Sequence, residues 1–128
     1  MSFAFHQDTD RYFKIQTEVT DEFVIPFLLD YCPDIKWEEM NVLEVGCGEA
    51  GALMAFLQRG ARGVGVELTK ARAEKAISYL HKFVKNERAQ IINSNIYANL
   101  ISEKFANAFD FIVLKDVIEH IPDQLRLL

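Results

Sequence analysis

The residues best suited to chemistry lie in a glycine-rich turn. Gly46, Gly48 and Gly51 follow the apolar run at 42–45. Glycine suits a sharp passage from strand to helix, because the turn needs unusual backbone angles and a Cβ would keep a ligand away from the main chain. The spacing also satisfies G-x-G-x-x-G, the pattern of dinucleotide-binding turns. This motif alone does not distinguish one adenosine-bearing cofactor from another.

Two carboxylates accompany this turn. Glu67 ends the next predicted strand. It lies close to the position, about 20 residues beyond the glycine motif, at which an acidic residue accepts hydrogen bonds from ribose hydroxyls in dinucleotide-binding folds. The simpler alternative is a solvated carboxylate at a strand end. Glu44 lies inside the first apolar strand, two places before Gly46, where a carboxylate is costly unless it is paired.

A regular alternation of elements is expected to position these residues. Strands are predicted at 41–45, 64–67, 90–94 and 109–114, with helices at 52–59 and 69–84 and a short helical piece at 100–105. Strands that alternate with helices pair in parallel through right-handed crossovers. The expected fold is therefore α/β: a Rossmann-like, doubly wound parallel sheet with helices on both faces.

The first forty residues are expected to form a helical segment that packs on this sheet. Apolar side chains recur at helical spacing from Val19 to Tyr31, with Thr20 or Asp21 as the cap. Pro26 lies inside this pattern and predicts a late start or a kink. Residues 1–40 and 41–128 together are expected to form one domain, because 128 residues bury one sizeable core.

Composition excludes several classes of function. The 14 basic and 19 acidic side chains give a net charge of -5, so nucleic acid is not an expected partner. Cys32 and Cys47 form no zinc-type cluster, and no metal is expected. The sequence shows no secretion signal and no apolar stretch of about 20 residues, so we expect a cytoplasmic protein without a membrane partner.

Four successive motifs resemble those of class I S-adenosylmethionine-dependent methyltransferases. They are E-V-G-C-G-E-A-G, G-V-E-L-T, N-S-N-I and F-D-F-I-V-L-K-D-V-I-E-H-I-P-D, in the family's order. The segment I-E-H-I-P at 118–122 is similar to the sequence that often follows the fourth strand in the branch of the family that methylates small molecules. The resemblance implies S-adenosylmethionine as cofactor and a small-molecule methyl acceptor of unknown identity.

The resemblance also implies roles for individual residues. Gly46 and Gly48 would admit the amino-acid part of the cofactor, Glu44 would hold its ammonium group through water, and Glu67 would take the ribose hydroxyls. Asn95 stands where the family usually has an aspartate that accepts from the adenine amino group. The full implied set is Glu44, Gly46, Cys47, Gly48, Gly51, Glu67, Leu68, Asn95, Ile96, Lys115 and Asp116.

Simpler alternatives exist for several of these residues. Cys47 is better explained as a small turn filler than as a nucleophile, and Asn95 could simply end its strand. His120 is a candidate general base beside the methyl donor, although a histidine at a helix start more often packs against its neighbours. The aromatic N-terminal stretch, including Tyr12 and Phe13, is either a lid over the cofactor or ordinary packing.

The expected reaction is an in-line displacement at a methyl group that its positively charged sulfur already activates. The protein then needs to align the acceptor and exclude water. The alternatives are a non-catalytic cofactor-binding or scaffold domain of the same fold, and an NAD-dependent oxidoreductase. The family's C-terminal strands are absent after the fourth strand, so we expect either a piece of a longer protein or a homo-oligomer that covers this strand's edge.

Overall fold

Four parallel strands form the centre of the molecule. The structure is a computed structural model that describes residues 8–97, 103 and 105–115. The strands are β1 Asn41–Val45, β2 Arg62–Glu67, β3 Ala89–Asn93 and β4 Phe111–Val113. They pair in the order β3-β2-β1-β4, and every pairing is parallel. This order confirms the predicted doubly wound sheet, whose carboxyl ends all meet at one edge.

The helix before the sheet begins earlier than predicted. Helix α1 is Thr9–Val19, a π-helical turn follows at Thr20–Val24, and α2 is Ile25–Tyr31. Thr20 and Asp21 therefore do not cap a helix start, and the cap is Asp8, whose side chain accepts from the backbone N–H of Arg11. The prediction missed this helix because most residues from 9 to 18 are polar, and the residues that hold the helix in place lie in other elements.

Pro26 causes the predicted irregularity without breaking the helix. Proline has no N–H to donate and its ring crowds the preceding turn. The chain adapts by widening the turn just before it, and the N–H of Ile25 donates to the carbonyl of Thr20, five residues back. Such π-helical turns are a recognised way to insert extra backbone into a helix.

The crossover helices lie close to their predicted positions. They are α3 Gly51–Gln58, α4 Lys70–Tyr79 and α5 His81–Lys85, and a 3₁₀ turn at Trp37–Glu39 precedes β1. The predicted helix at 69–84 is divided at Leu80, where the backbone leaves helical geometry. None of the helices in the described part of the chain is long and apolar enough to cross a bilayer.

The sheet buries side chains on both of its faces. Val42 belongs to the larger core cluster together with Leu53 and Phe56 of α3, whereas the neighbouring Leu43 belongs to a second cluster with Val66. Successive strand residues point to opposite faces, so both faces of β1 are apolar. This accounts for the continuous apolar run in place of the strict alternation seen when one face meets water.

Helix α1 lies directly over the start of α3. The Thr17 hydroxyl donates to the carbonyl of Gly51 at 2.9 Å, and the Phe13 ring stacks on Tyr79 of α4 with 4.2 Å between ring centroids. A Cβ at Gly51 would lie 2.6 Å from the carbonyl oxygen of Phe13 and 2.7 Å from the Cβ of Gln16. The third glycine of the motif therefore permits the close approach of two helices.

The substitution Gly51→Ala should separate α1 from α3. The clash is with backbone, which cannot move aside as a side-chain tip can, so we expect a loss of about 1–3 kcal/mol in the free energy of unfolding. Urea denaturation measures it, with Ser78→Ala on the exposed face of α4 as the control. An unchanged midpoint for Gly51→Ala would show that this helix contact does not contribute to stability.

Candidate functional site

The turn after β1 depends on left-handed backbone at three positions. Gly46 has φ 66°, Gly48 has φ 56° and Ala50 has φ 69°. The N–H groups of Gly46 and Cys47 both donate to the carbonyl of Val66, at 2.8 and 3.1 Å. These bonds hold the glycine turn against the end of β2, as expected for adjacent carboxyl ends of parallel strands.

Glu67 faces the glycine turn. Its Oε1 accepts from the N–H of Gly48 at 2.9 Å and its Oε2 accepts from the N–H of Thr69 at 2.7 Å. The residue is buried, with 5% of its surface exposed. Each carboxylate oxygen keeps a second lone pair for another donor. The structure therefore places Glu67 against the turn, as the sequence predicts, with acceptor capacity left over.

Glu44 is fully enclosed beneath the first turn of α3. Its Oε1 accepts from the backbone N–H of Leu53 at 3.2 Å, which is one of the N–H groups that a helix start leaves unpaired. Burial raises the pKa of Glu44 to about 8, although this hydrogen bond and the charge of Lys115 act in the opposite direction. The sequence analysis expects this buried carboxylate to need a partner, and the N–H of Leu53 at the helix start is that partner.

A small cavity opens beside these carboxylates. Its volume is about 40 Å³, which is room for only a few water molecules. The lining residues are Tyr12, Phe13, Gln16, Glu44, Gly46, Cys47, Glu49, Gly51, Ala52, Arg72 and Lys115. The cavity thus brings five predicted site residues together with six others. Tyr12 and Phe13 were noted merely as part of an aromatic stretch, and Gln16, Glu49, Ala52 and Arg72 were not assigned to the site.

An ion pair crosses the glycine turn at this cavity. The Nε of Arg72 donates to Oε1 of Glu49 at 3.3 Å, and its Nη2 donates to Oε2 at 3.1 Å. The Glu49 side chain is 8% exposed and that of Arg72 is 45% exposed. Partial burial opposes the charge of Arg72, but the hydrogen bond and charge of Glu49 outweigh it and raise the arginine pKa.

This ion pair was hard to predict from the sequence. Lys70, Arg72, Glu74 and Lys75 look like the solvated face of an amphipathic helix, which is what alternating charges usually mean. The available signal was Glu49, an acidic residue enclosed between glycines of a tight turn, which needs a cation nearby. Residue spacing does not reveal that α4 brings Arg72 back over the turn.

The predicted adenine-side residues lie at the rim of the sheet. Leu68 is 70% exposed directly after Glu67. The side-chain Oδ1 of Asn95 accepts from the N–H of Tyr97 at 2.9 Å, and the partly buried Ile96 packs against the second core cluster. Asn93, which the sequence did not single out, donates to the carbonyls of Glu67 and Leu68, each at 2.9 Å, and so fixes the backbone that carries both.

The remaining predicted residues divide into two groups. Cys47 is buried, its thiol packs against Gly65, and burial raises its pKa, so its behaviour is that of a turn filler. Lys115 lines the cavity and its Nζ donates to the side-chain oxygen of Gln16 in α1. Asp116 and His120 lie outside the described residues.

The enclosure of Glu44 predicts a distinctive dependence of stability on pH. A carboxyl that stays protonated in the folded chain but ionises at its ordinary pKa of 4.5 when unfolded leaves the folded state with one more proton between about pH 4.5 and 8. The free energy of unfolding then falls as pH rises through this window. The charged described groups near Glu44 are Lys115, Glu67 and Arg72.

Thermal denaturation of the parent and of Glu44→Gln from pH 5 to 8 measures this contribution. The amide can accept the same bond from Leu53 but does not titrate, so the parent should lose stability with rising pH more steeply than the variant. Glu39→Gln, which is exposed, serves as the control. Parallel slopes for parent and Glu44→Gln would show that Glu44 is already ionised in the folded chain.

The sequence matches a known family over most of its length. Residues 17–128 match the family model described as a methyltransferase domain. A ubiquinone biosynthesis O-methyltransferase of Pseudomonas fluorescens SBW25 is 30% identical over 83 residues, which cover 65% of this chain and 34% of that protein. The chain therefore spans about a third of the length of the curated relatives that it matches.

Solved structures agree at the level of the fold. A Methanococcus maripaludis protein assigned as an S-adenosylmethionine-dependent methyltransferase superposes with a TM-score of 0.70 at 14% identity, over 94% of this chain and 54% of that one. PKMT2 of Rickettsia typhi, solved in complex with AdoHcy, has a TM-score of 0.56 at 21% identity, over 72% of this chain and 17% of its own. With its parallel β3-β2-β1-β4 sheet and its family match, the chain belongs to the methyltransferase domain family, and the class I assignment suggested by its motifs is confirmed.

Proposed function

We propose that this chain forms the S-adenosylmethionine-binding part of a methyltransferase that acts on a hydroxyl oxygen of a small molecule. The observation that carries the proposal is Glu67, a buried carboxylate bound to the N–H of Gly48 in the turn after β1. The oxygen acceptor is inferred from the similarity to an O-methyltransferase. Family membership favours methyl transfer over hydride transfer with NAD, which the glycine motif alone had left open.

The described residues suit each part of such a cofactor. The space beside the Gly48 backbone, which the Arg72 guanidinium takes up, lies next to the spare acceptor sites of Glu67 for ribose hydroxyls. Leu68 offers an exposed apolar surface of the kind that packs against an adenine ring. Glu44, with the cavity beside it, supplies a negative charge for an ammonium group once its proton leaves.

The chain's own contribution to the reaction is alignment. When bound, S-adenosylmethionine would supply a methyl group on a positively charged sulfur. A hydroxyl oxygen of the acceptor would take this methyl group and release its proton to water, and the sulfur would remain as a neutral thioether. Glu67 and Gly48 would fix the adenosine, and the α1 residues Tyr12 and Gln16 would enclose the side of the cavity away from the sheet. Holding the reacting atoms in line and excluding water lower the barrier without a metal or a nucleophile.

A thermal-shift titration tests the cofactor. A ligand at 100 times its dissociation constant stabilises a protein by about 2.7 kcal/mol. S-adenosylmethionine and S-adenosylhomocysteine should each raise the melting temperature, and NAD should not. Glu67→Ala should reduce this shift strongly, because the acceptor for the ribose hydroxyls is gone, whereas Glu39→Ala on an exposed turn should retain it.

Two outcomes would contradict the assignment. If Glu67→Ala folds, as circular dichroism would show, and responds to the ligand as the parent does, Glu67 does not belong to the binding site. If NAD stabilises and S-adenosylhomocysteine does not, the cofactor is wrong. Transfer of tritiated methyl groups to small molecules that carry a hydroxyl group separates an enzyme from a binding domain of the same fold, since the latter would bind without turnover.

A further inference from the structure

Arg72 occupies the space that the glycine turn leaves open for a ligand. An ideal Cβ built on Gly48 would lie 2.3 Å from Nη2 of Arg72 and 2.9 Å from its Cζ. The guanidinium therefore rests directly on the backbone of the turn. Glycine is required at such a turn so that another group can approach the main chain closely, and here that group is the guanidinium of Arg72.

The carboxylates beside Arg72 explain why the arginine rests there. Glu49 and Glu67 are both buried, with no more than 7% of their surfaces exposed. Arg72 pairs with Glu49 through two hydrogen bonds and is also attracted by Glu67. A buried carboxylate without a partner is costly, so the guanidinium offsets the cost of burying Glu49.

The Arg72 side chain can also move away from the glycine turn. The side chain of Arg72 is 45% exposed and comes from the first turn of α4, so it can extend into solvent without disturbing the core. Beside it lies the small cavity of about 40 Å³, which Arg72 itself lines. A ligand that reaches both Gly48 and Glu67 must take the place of the guanidinium.

We propose that Arg72, held by Glu49, competes with the cofactor for the space over Gly48 and so limits the affinity of the empty protein for it. This inference rests on the proposed function, since it takes S-adenosylmethionine as the ligand. The cofactor carries a net positive charge, like the guanidinium, and so suits the same carboxylates. Binding then exchanges one cation for another, and part of the binding free energy is used to break the Glu49 ion pair.

Isothermal titration of S-adenosylmethionine into the parent and Arg72→Gln tests the competition. A partly exposed ion pair contributes up to about 1 kcal/mol, so removing the competitor should lower the dissociation constant by about fivefold. Lys70→Gln removes the same charge from the same helix turn, but its side chain is 82% exposed, and its dissociation constant should stay within about twofold of the parent. The ligand-free Arg72→Gln protein should melt at a lower temperature than the parent, since Glu49 loses its partner.

The double variant Glu49→Gln/Arg72→Gln covers the case in which Arg72→Gln does not fold, because it does not leave a buried charge at position 49 without its partner. It too should bind more tightly than the parent. Equal or weaker binding by either folded Arg72 variant would overturn the inference, with weaker binding identifying Arg72 as a cofactor ligand. So would a crystal structure with S-adenosylhomocysteine in which the guanidinium still rests on Gly48.

Binding by the parent protein distinguishes failure of this inference from failure of the proposed function. If the parent binds S-adenosylmethionine and the Arg72 variants bind no more tightly, the competition is wrong and the proposed function stands. If the parent and every variant, including the double variant, show neither heat of binding nor a thermal shift, the proposed function fails and the competition fails with it. A variant that binds where the parent does not would support both.

Discussion

The Glu67 carboxylate connects the two turns on which the site depends. One of its oxygens accepts from Gly48 in the turn after β1, and the other accepts from Thr69 in the turn after β2. A carboxylate bridging two backbone N–H groups in a buried setting forms strong charge-assisted bonds. It fixes how the starts of α3 and α4 lie relative to each other, and hence where Gly48, Glu49 and Arg72 meet.

The same constraint explains why buried polar groups are concentrated at this edge of an otherwise apolar core. Parallel strands bring their carboxyl ends together, and the helix starts that follow leave N–H groups unpaired. Glu44 takes one of these, from Leu53, and Glu67 takes another, from Thr69. Fold and site are therefore linked: the carboxylates complete the hydrogen bonding of the helix starts and at the same time supply acceptors around the cavity.

Much of this arrangement was predictable from sequence, because it depends on local chemistry. Glycines at 46 and 48 specify a left-handed turn, and the continuous apolar run of β1 specifies a strand covered on both faces. The helix α1 was not predictable in the same way. Most of its residues are polar, and its stability comes from long-range contacts, such as Phe13 on Tyr79 and Thr17 on Gly51, whose partners cannot be identified from the segment itself.

The predicted adenine contacts remain predictions for a related reason. The side-chain oxygen of Asn95 is engaged by the N–H of Tyr97, while Asn93, two places earlier, fixes the carbonyls of Glu67 and Leu68. Both asparagines lie at the end of β3, and sequence alone cannot tell which supports the backbone and which faces a ligand. Hydrogen bonds at turns depend on the conformation of the whole segment, so residue type narrows the choice without deciding it.

The balance of charges at the site could not be predicted from the sequence, because only folding brings these charged residues together. Three buried carboxylates from three segments lie at this end of the sheet: Glu44 and Glu49 line the small cavity, and Glu67 lies beside it against the glycine turn. The chain compensates two of them: burial raises the pKa of Glu44 to about 8, and Arg72 is placed on Glu49. A site compensated in this way is predisposed to a cationic ligand, because such a ligand can replace the internal compensation with its own charge.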